Sequence, residues 1–468
     1  MKDSALYQTL ICCSRKDLRR LSQWVQSPLV NQREDVIHLL DRLILTIKKP
    51  MLYAADRTQV FEAVFPGIPF DDGLLRSVMH FLLNAVRQYL AYEAWSTDPG
   101  EVQYQLCKSL RRRKADKQFY TEWQTATRML EQSPLRHSRY HRQQYQLQSE
   151  LYAHEHRQRR SGPMNLQAML DQLTYAYLAD LLRQSCTILS YQNVNPQDYD
   201  FGLLEAALER IKSNKEENPP AIALYYCAYS MLRLPEEEHW FPELRTLIDL
   251  HWKSFPPAEM RDLYLLAINY CIGKLNRGER RYIREALSLY RAALEKEVLL
   301  EDGLLSKFTY NNILMLAIAL EEWDWADGFL DAYRGYLPGR EKENTYRYNR
   351  AVFWFRRPQY EKAMELLMHV EFRDPLYNLN TRTMLLRIFY ELQSFTALEA
   401  HLESFTIFLR RRRELGYHRD NYRNLILFTK KLLELAPGDR KGRQTLYNEI
   451  ENTAALAERD WLLEKAKV

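Results

Sequence analysis

A short pattern of large apolar and small residues recurs four times in the C-terminal half of the chain. Each copy opens with a large apolar residue, places a small or apolar anchor three positions later, and adds apolar residues four and seven positions after the anchor. The opening residue and anchor of each copy are Ile283 and Ala286, Trp323 and Ala326, Tyr360 and Ala363, and Phe395 and Leu398. The anchors are separated by 40, 37 and 35 positions, and a period of this length is typical of stacked helix pairs.

Helical periodicity around these copies predicts an all-α fold of stacked antiparallel helix pairs. The predicted pairs are 221–234 with 240–254, 259–275 with 280–298, 306–321 with 323–336, 343–356 with 358–372, and 377–392 with 394–411. A less regular pair, 420–436 and 440–466, ends the chain, as expected for a terminal unit that presents a polar outer face. No stretch shows the strict alternation of a strand, and 14 glycines and 18 prolines are few for an all-β protein.

Before the repeats we predict an N-terminal helical module over 1–100 and a basic helical segment over 101–163. Within the module, 39–47 and 74–90 carry apolar residues at helical spacing, and Asp71 or Asp72 is expected to cap the second of these helices. The sequence Ser-Gly-Pro at 161–163 breaks the basic segment. The repeat domain is then predicted over 164–466.

The basic segment carries most of the unusual charge of the chain. Residues 108–162 contain 13 Lys/Arg and five Asp/Glu, a surplus of eight positive charges in a chain whose formal net charge is +5. A basic helical face is commonly solvated or paired with acidic neighbours. Binding of a charged protein partner is a second interpretation. Nucleic-acid binding is the alternative function, since Lys and Arg neutralise phosphates. Its candidate residues are Arg111, Arg112, Arg113, Lys114, Arg139 and Arg142.

Residues 280–410 resemble the tetratricopeptide repeat (TPR), whose second helix carries a small residue, an aromatic and a second small residue in an A-x3-F-x2-A spacing. Ala286, Tyr290 and Ala293 keep this spacing. In the unit 344–375 the resemblance extends to Ala351, Trp354, Tyr360 and Pro375, whereas Leu398 replaces the expected alanine of the last copy. The resemblance implies a groove, lined by the first helices, that holds an extended peptide or a helix of a partner protein. Residues 1–160 resemble no family of known function.

The resemblance also implies which side chains bind the peptide. Asn312 and Asn349 fall at the same position of the first helix in adjacent repeats, where peptide-binding members use asparagine. A side-chain amide offers a donor and an acceptor, so it pairs with a peptide backbone whatever the peptide sequence. The alternative is that both are ordinary polar residues of an exposed face. Further candidates on the inner face are Asn311, Met315, Tyr348, Phe355, Arg356 and Arg387.

The sequence offers no pattern for catalysis or for a cofactor. The six cysteines are scattered without metal-ligand spacing, and the histidines at 137, 141, 154 and 156 have no cysteine or carboxylate at useful spacing. Phosphate-binding loops, nucleophile elbows and zinc-protease motifs are missing from the sequence. We therefore expect no metal, no cofactor and no enzymatic activity.

The expected protein is a cytoplasmic, non-catalytic interaction scaffold. The N-terminal sequence lacks the basic and apolar regions of a secretory signal, and no apolar run approaches the ~20 residues that span a bilayer. Besides nucleic-acid binding, a purely structural or oligomeric helical protein is the remaining alternative.

Overall fold

A computed structural model describes residues 1–53, 56–158, 162–192, 195, 197–214, 218–339, 341–370, 372, 375–411, 418–436 and 438–467. Within these residues the chain forms 23 α-helices and one two-stranded ribbon. It divides into two compact units. The N-terminal unit comprises Met1–Gln184 with Phe201–Ala223, and the C-terminal unit comprises Ser185–Asp200 with Leu224–Val468. The predicted domain limits at 100 and 163 stay predictions, and Ser161 of the predicted break lies outside the described residues.

Ten helices precede residue 214. They are α1 (Ala5–Ile11), α2 (Arg15–Gln26), α3 (Glu34–Lys48), α4 (Arg57–Val64), α5 (Asp72–Ser96), α6 (Pro99–Arg112), α7 (Asp116–Gln132), α8 (Ser138–Gln158), α9 (Leu166–Gln192) and α10 (Leu204–Ser213). Asp71 is the capping residue predicted for α5, because its side chain accepts a hydrogen bond of 3.0 Å from the backbone N–H of Leu74.

Among its described residues, the N-terminal unit has one apolar core in α1–α5 and another in α6–α8. Helices α1–α5 share the larger one, in which Leu10, Leu39 and Leu82 are fully buried. Helices α6, α7 and α8 pack together around Phe119 and its apolar neighbours. The basic segment is therefore a packed helical element with its own buried side.

Among the described residues, thirteen α-helices, two short 3-10 helices (Trp252–Ser254 and Arg334–Tyr336) and the ribbon follow residue 219. In chain order, the α-helices and strands are α11 (Pro220–Arg233), α12 (Trp240–His251), α13 (Pro257–Asn276), α14 (Tyr282–Glu295), β1 (Leu300–Glu301), β2 (Leu304–Leu305), α15 (Lys307–Ala319), α16 (Trp323–Tyr333), α17 (Lys342–Arg356), α18 (Tyr360–Leu367), α19 (Pro375–Glu391), α20 (Phe395–Arg411), α21 (His418–Glu434), α22 (Arg440–Asn452) and α23 (Arg459–Ala466).

The structure confirms the all-α class and the helix pairs, with three local differences. Helix α18 ends at Leu367, whereas the pattern predicted it to continue to 372. The last predicted helix is two helices, α22 and α23, because the chain turns at Glu458 with a φ of +54°. The ribbon was not predicted; its strands join through Asp302 and Gly303, whose φ angles of +51° and +75° suit the tight hairpin turn that Asp-Gly favours.

Helix pairs stack in sequence order through the C-terminal unit. Each helix from α13 to α21 packs against the next one, and α17 also packs against both α15 and α19. The first helices of neighbouring pairs thus form one continuous wall. All four anchors, Ala286, Ala326, Ala363 and Leu398, are fully buried. A small anchor lets the second helix approach its neighbours closely, which explains why the anchors mark the repeat.

One turn geometry recurs after three of the first helices. Gly278, Glu321 and Gln393 have positive φ angles, and the backbone N–H of the residue after each donates back to a carbonyl five residues earlier in the chain. This is the hydrogen bond that closes a helix through a left-handed residue. The repeated turn gives these pairs the same connection between their first and second helices.

Candidate functional site

The wall of first helices in the C-terminal unit contains a cavity of about 240 Å³. Helices α15, α17 and α19 each place one face toward it, with residues at helical spacing. Tyr422 of α21 and Glu458, which precedes α23, complete the lining. The residues from the three first helices are Asn311 and Met315, then Tyr348, Val352, Phe355 and Arg356, then Asn380, Thr383, Met384 and Arg387.

The cavity lining repeats with the period of the helix pairs. Met315, Val352, Arg387 and Tyr422 are separated by 37, 35 and 35 positions, which matches the 37 and 35 positions between the last three anchors. Equivalent positions of consecutive first helices therefore face one cavity. A ligand that lies along the cavity meets a side chain from each successive pair.

Tyr348 forms the buried aromatic part of the cavity. Its ring packs edge-on against Phe372, with centroids 5.5 Å apart, and against Tyr377 at 5.1 Å. Burial raises the pKa of Tyr348 to about 12, and the side chain of Asn380 interacts with the hydroxyl. The phenol is consequently neutral and can donate a hydrogen bond at physiological pH.

The two arginines of the cavity have different surroundings. Arg387 donates from Nη1 to Glu458 Oε2 at 2.6 Å, and its guanidinium lies 4.8 Å from the centre of the Phe355 ring. Arg356 is exposed, and no carboxylate of the described residues lies within ion-pair distance of it. The positive charge that remains available at the cavity is therefore that of Arg356.

Two buried polar groups of the cavity lack a hydrogen-bond partner among the described atoms, the Nε of Arg387 and the hydroxyl of Thr383. Thr383 is 5% exposed, and its hydroxyl has no partner among the described atoms. An unpaired buried hydroxyl is unfavourable by about 1–3 kcal/mol. A ligand group that reaches Thr383 would remove this penalty.

The structure corrects the expected pair of asparagines. Asn349 is fully buried, and its amide donates to the carbonyl of Thr345 at 2.8 Å within its own helix. Asn312 is exposed, but its side chain contacts Tyr290 of α14 and does not line the cavity. The predicted repeat register places both asparagines at equivalent positions, but a shift of one residue along a helix changes the side-chain direction by about 100°. Asn311 and Tyr348, each one position earlier, face the cavity instead.

Six of the eight predicted peptide-binding residues line the cavity: Asn311, Met315, Tyr348, Phe355, Arg356 and Arg387. Six lining residues were not predicted: Val352, Asn380, Thr383, Met384, Tyr422 and Glu458. Adding the repeat spacing to Met315 and Arg387 identifies Val352 and Tyr422. Glu458 had no such signal, because it lies between α22 and α23, in the irregular segment that ends the chain.

The structure divides the predicted nucleic-acid residues into two groups. Arg111 donates to Glu150 at 2.5 Å, Arg139 pairs with Asp98, and Arg142 pairs with Asp180. The remaining candidates, Arg112, Arg113 and Lys114, are exposed together at the end of α6. Three of the six cations are thus neutralised within the N-terminal unit.

Three histidines are buried in the N-terminal unit: His137, which directly precedes α8, and His141 and His154 of α8. Burial lowers the pKa of His137, His141 and His154 below the ordinary value of 6.5. Gln172 Oε1 lies 2.8 Å from Nδ1 of His141. Among the described residues, no group of three or more His, Cys, Asp or Glu side chains is placed to hold a metal ion.

These histidines predict a loss of stability in mild acid. The unfolded chain takes up protons near pH 6.5, whereas the folded chain binds them only at lower pH, so the free energy of unfolding decreases as the pH falls below about 6.5. Urea unfolding followed by circular dichroism between pH 7.5 and pH 5 measures this slope. His141→Gln should reduce the slope, and His80→Gln, at an exposed position of α5, should not. Equal slopes for both variants and the wild type would contradict the prediction.

The comparisons with known proteins give little. No family model matches the chain, and no curated protein matches it. A solved structure titled "Crystal structure of APC/C hetero-tetramer Cut9-Hcn1" aligns over 99% of this chain and 89% of that chain, with 14% sequence identity and a TM-score of 0.27. A similarity at this TM-score supports no inference about fold or function.

No helix in the described part of the chain has the length and apolar character needed to cross a membrane.

Proposed function

We propose that this chain is a non-catalytic scaffold that binds an extended peptide or a helical segment of a partner protein. The binding surface is the wall of α15, α17 and α19. The observation that carries the proposal is the periodic lining of the cavity, in which equivalent positions of consecutive helix pairs face one space. The resemblance of residues 280–410 to tetratricopeptide repeats supports the same function.

The chemistry of the cavity suits a peptide. The amides of Asn311 and Asn380 offer donors and acceptors for a peptide backbone. Met315 and Met384 are unbranched and adaptable, so they accommodate apolar side chains of different shapes. The exposed guanidinium of Arg356 favours a ligand with a carboxylate close to the apolar side chain.

Two double variants test the proposal, and each replaces one asparagine and one arginine with alanine. Asn311→Ala with Arg356→Ala removes one amide and one cation that line the cavity. Each contact contributes about 0.5–1.5 kcal/mol, so we expect peptide binding to weaken about tenfold. The ligand is a peptide selected from a random displayed library on the wild-type chain, and its affinity is measured by isothermal titration calorimetry.

The matched control is Asn312→Ala with Arg357→Ala. These residues directly follow the tested pair, have the same chemical types, are exposed and do not line the cavity. The control should bind within about twofold of wild type. Equal affinities for the two double variants would reject this groove. Failure of the wild-type chain to select any peptide would favour the purely structural alternative.

The ion pairs of the basic segment weigh against nucleic-acid binding as the main function. Arg111 is paired with the nearly buried carboxylate of Glu150, so binding a phosphate through Arg111 would first require that pair to break. Arg139 and Arg142 are more exposed, and their carboxylate partners Asp98 and Asp180 offset part of their charge.

A further inference from the structure

A second cavity of the C-terminal unit, of about 540 Å³, lies at the contact of α20 with α21. Four cations line it. Arg410 comes from the last turn of α20, and Arg419, Arg423 and Lys430 come from α21. The three residues of α21 are spaced by four and seven positions, so they share one face of the helix. Ile426 and the exposed Leu427 add apolar surface.

Within the described ranges, which omit 412–417, these four charges are almost uncompensated. Among the described residues the carboxylate within ion-pair distance is that of Asp420, which lies 3.7 Å from Arg423, and both side chains are more than half exposed. Such a pair contributes little. Lys431 gives the contrast, because it forms an ion pair with Glu449 of α22 and does not line the cavity. The described part of the chain therefore pairs the neighbouring cation and leaves the cavity positive.

The helix dipole accounts for the position of one of the four cations. Arg410 lies near the negative C-terminal end of α20, where a cation is favourable. Arg419 is the second residue of α21, where the dipole is positive and a cation is unfavourable. The Nε of Arg419 is also buried without a hydrogen-bond partner among the described atoms. The arrangement thus carries an electrostatic penalty that no described neighbour removes.

We propose that this cavity binds the phosphate group of a ligand, through Arg410, Arg419, Arg423 and Lys430. Guanidinium groups bind phosphate oxygens through paired hydrogen bonds, and the ligand charge would offset the repulsion among the four cations. The volume is in the range of small-ligand pockets. Ile426 and Leu427 would contact the less polar part of the ligand. The phosphate belongs either to a small phosphorylated molecule or to a phosphorylated side chain. This site is separate from the proposed peptide groove and does not depend on it.

Titration calorimetry on the full chain tests the site with three probes. They are inorganic pyrophosphate, a degenerate peptide pool with a fixed phosphoserine, and the same pool with serine. We expect pyrophosphate to bind, and Arg419→Gln with Arg423→Gln to weaken it at least tenfold. Binding should also weaken as the salt concentration rises from about 50 to about 200 mM. Tighter binding of the phosphoserine pool than of pyrophosphate assigns the phosphate to a peptide, and the reverse order assigns it to a small molecule.

Arg440→Gln with Lys441→Gln is the matched control, because it removes the same net charge at exposed positions of α22 outside the cavity. This control should keep the wild-type affinity. Equally weak pyrophosphate binding in both double variants would mean that the affinity depends on net charge alone, and it would overturn the proposed site. So would the absence of binding of both phosphate-bearing probes. The groove variant Asn311→Ala with Arg356→Ala should leave pyrophosphate binding unchanged, so the two proposals fail independently.

Discussion

Phe405→Ala is expected to lower the free energy of unfolding of the C-terminal unit by about 3–5 kcal/mol. Phe405 of α20 is fully buried in the core formed by α19–α23. Its ring lies 6.1 Å from that of Tyr422 and 6.5 Å from that of Phe408. Truncation would remove these contacts and leave a cavity that the surrounding helices fill only in part.

Phe395→Ala is the matched control for this prediction. Phe395 begins the same helix, but 46% of it is exposed, so the substitution should change the free energy of unfolding by less than about 1 kcal/mol. Urea unfolding followed by circular dichroism measures both variants. Similar losses for the two would contradict the assignment of Phe405 to the core. Since Tyr422 contacts Phe405 and also lines the proposed peptide groove, Phe405→Ala should weaken peptide binding as well.

The sequence predicted the repeat and its register better than the direction of individual side chains. Anchors such as Ala326 and Ala363 recur because close helix packing requires them, so their spacing reveals the pairs. The spacing alone does not say which of two adjacent asparagines faces the groove. Asn311 and Asn312 differ only by about 100° of helix rotation, and the packing against Tyr290 decides which one turns away.

The sequence also could not predict which carboxylate pairs with which arginine. Glu458 reaches Arg387 across 71 residues, and Glu150 reaches Arg111 across 39. A local count of cations contains no information about such distant carboxylates. The cationic cavity could not be predicted from the sequence for the same reason. The helix dipole accounts locally for Arg410 at the end of α20, and only the packing of α20 on α21 brings Arg410 together with Arg423.

Arg111→Ala is expected to cost the N-terminal unit about 3–5 kcal/mol of stability. The Glu150 side chain is 8% exposed and that of Arg111 is 24% exposed, so removing the arginine leaves a nearly buried carboxylate without its cation. Arg112→Ala, at the next position, removes an exposed cation and should change stability by less than about 0.5 kcal/mol. Urea unfolding of the two variants measures the difference, and equal stabilities would contradict a structural role for Arg111.

The double variant Arg111→Met with Glu150→Met separates a lost ion pair from lost packing. Replacing both partners removes the uncompensated carboxylate, so it should recover much of the stability that Arg111→Ala loses.

A test of nucleic-acid binding should leave the Arg111–Glu150 pair intact. A variant that replaces Arg111 would lose both stability and any phosphate contact of Arg111, so weaker binding could not be assigned to either cause. Removing Arg112, Arg113 and Lys114 together should keep the fold, because all three are exposed, and it takes away the exposed cations of this cluster. If the wild-type chain shifts duplex DNA at low salt and this triple variant does not, the nucleic-acid alternative holds; without any shift it fails.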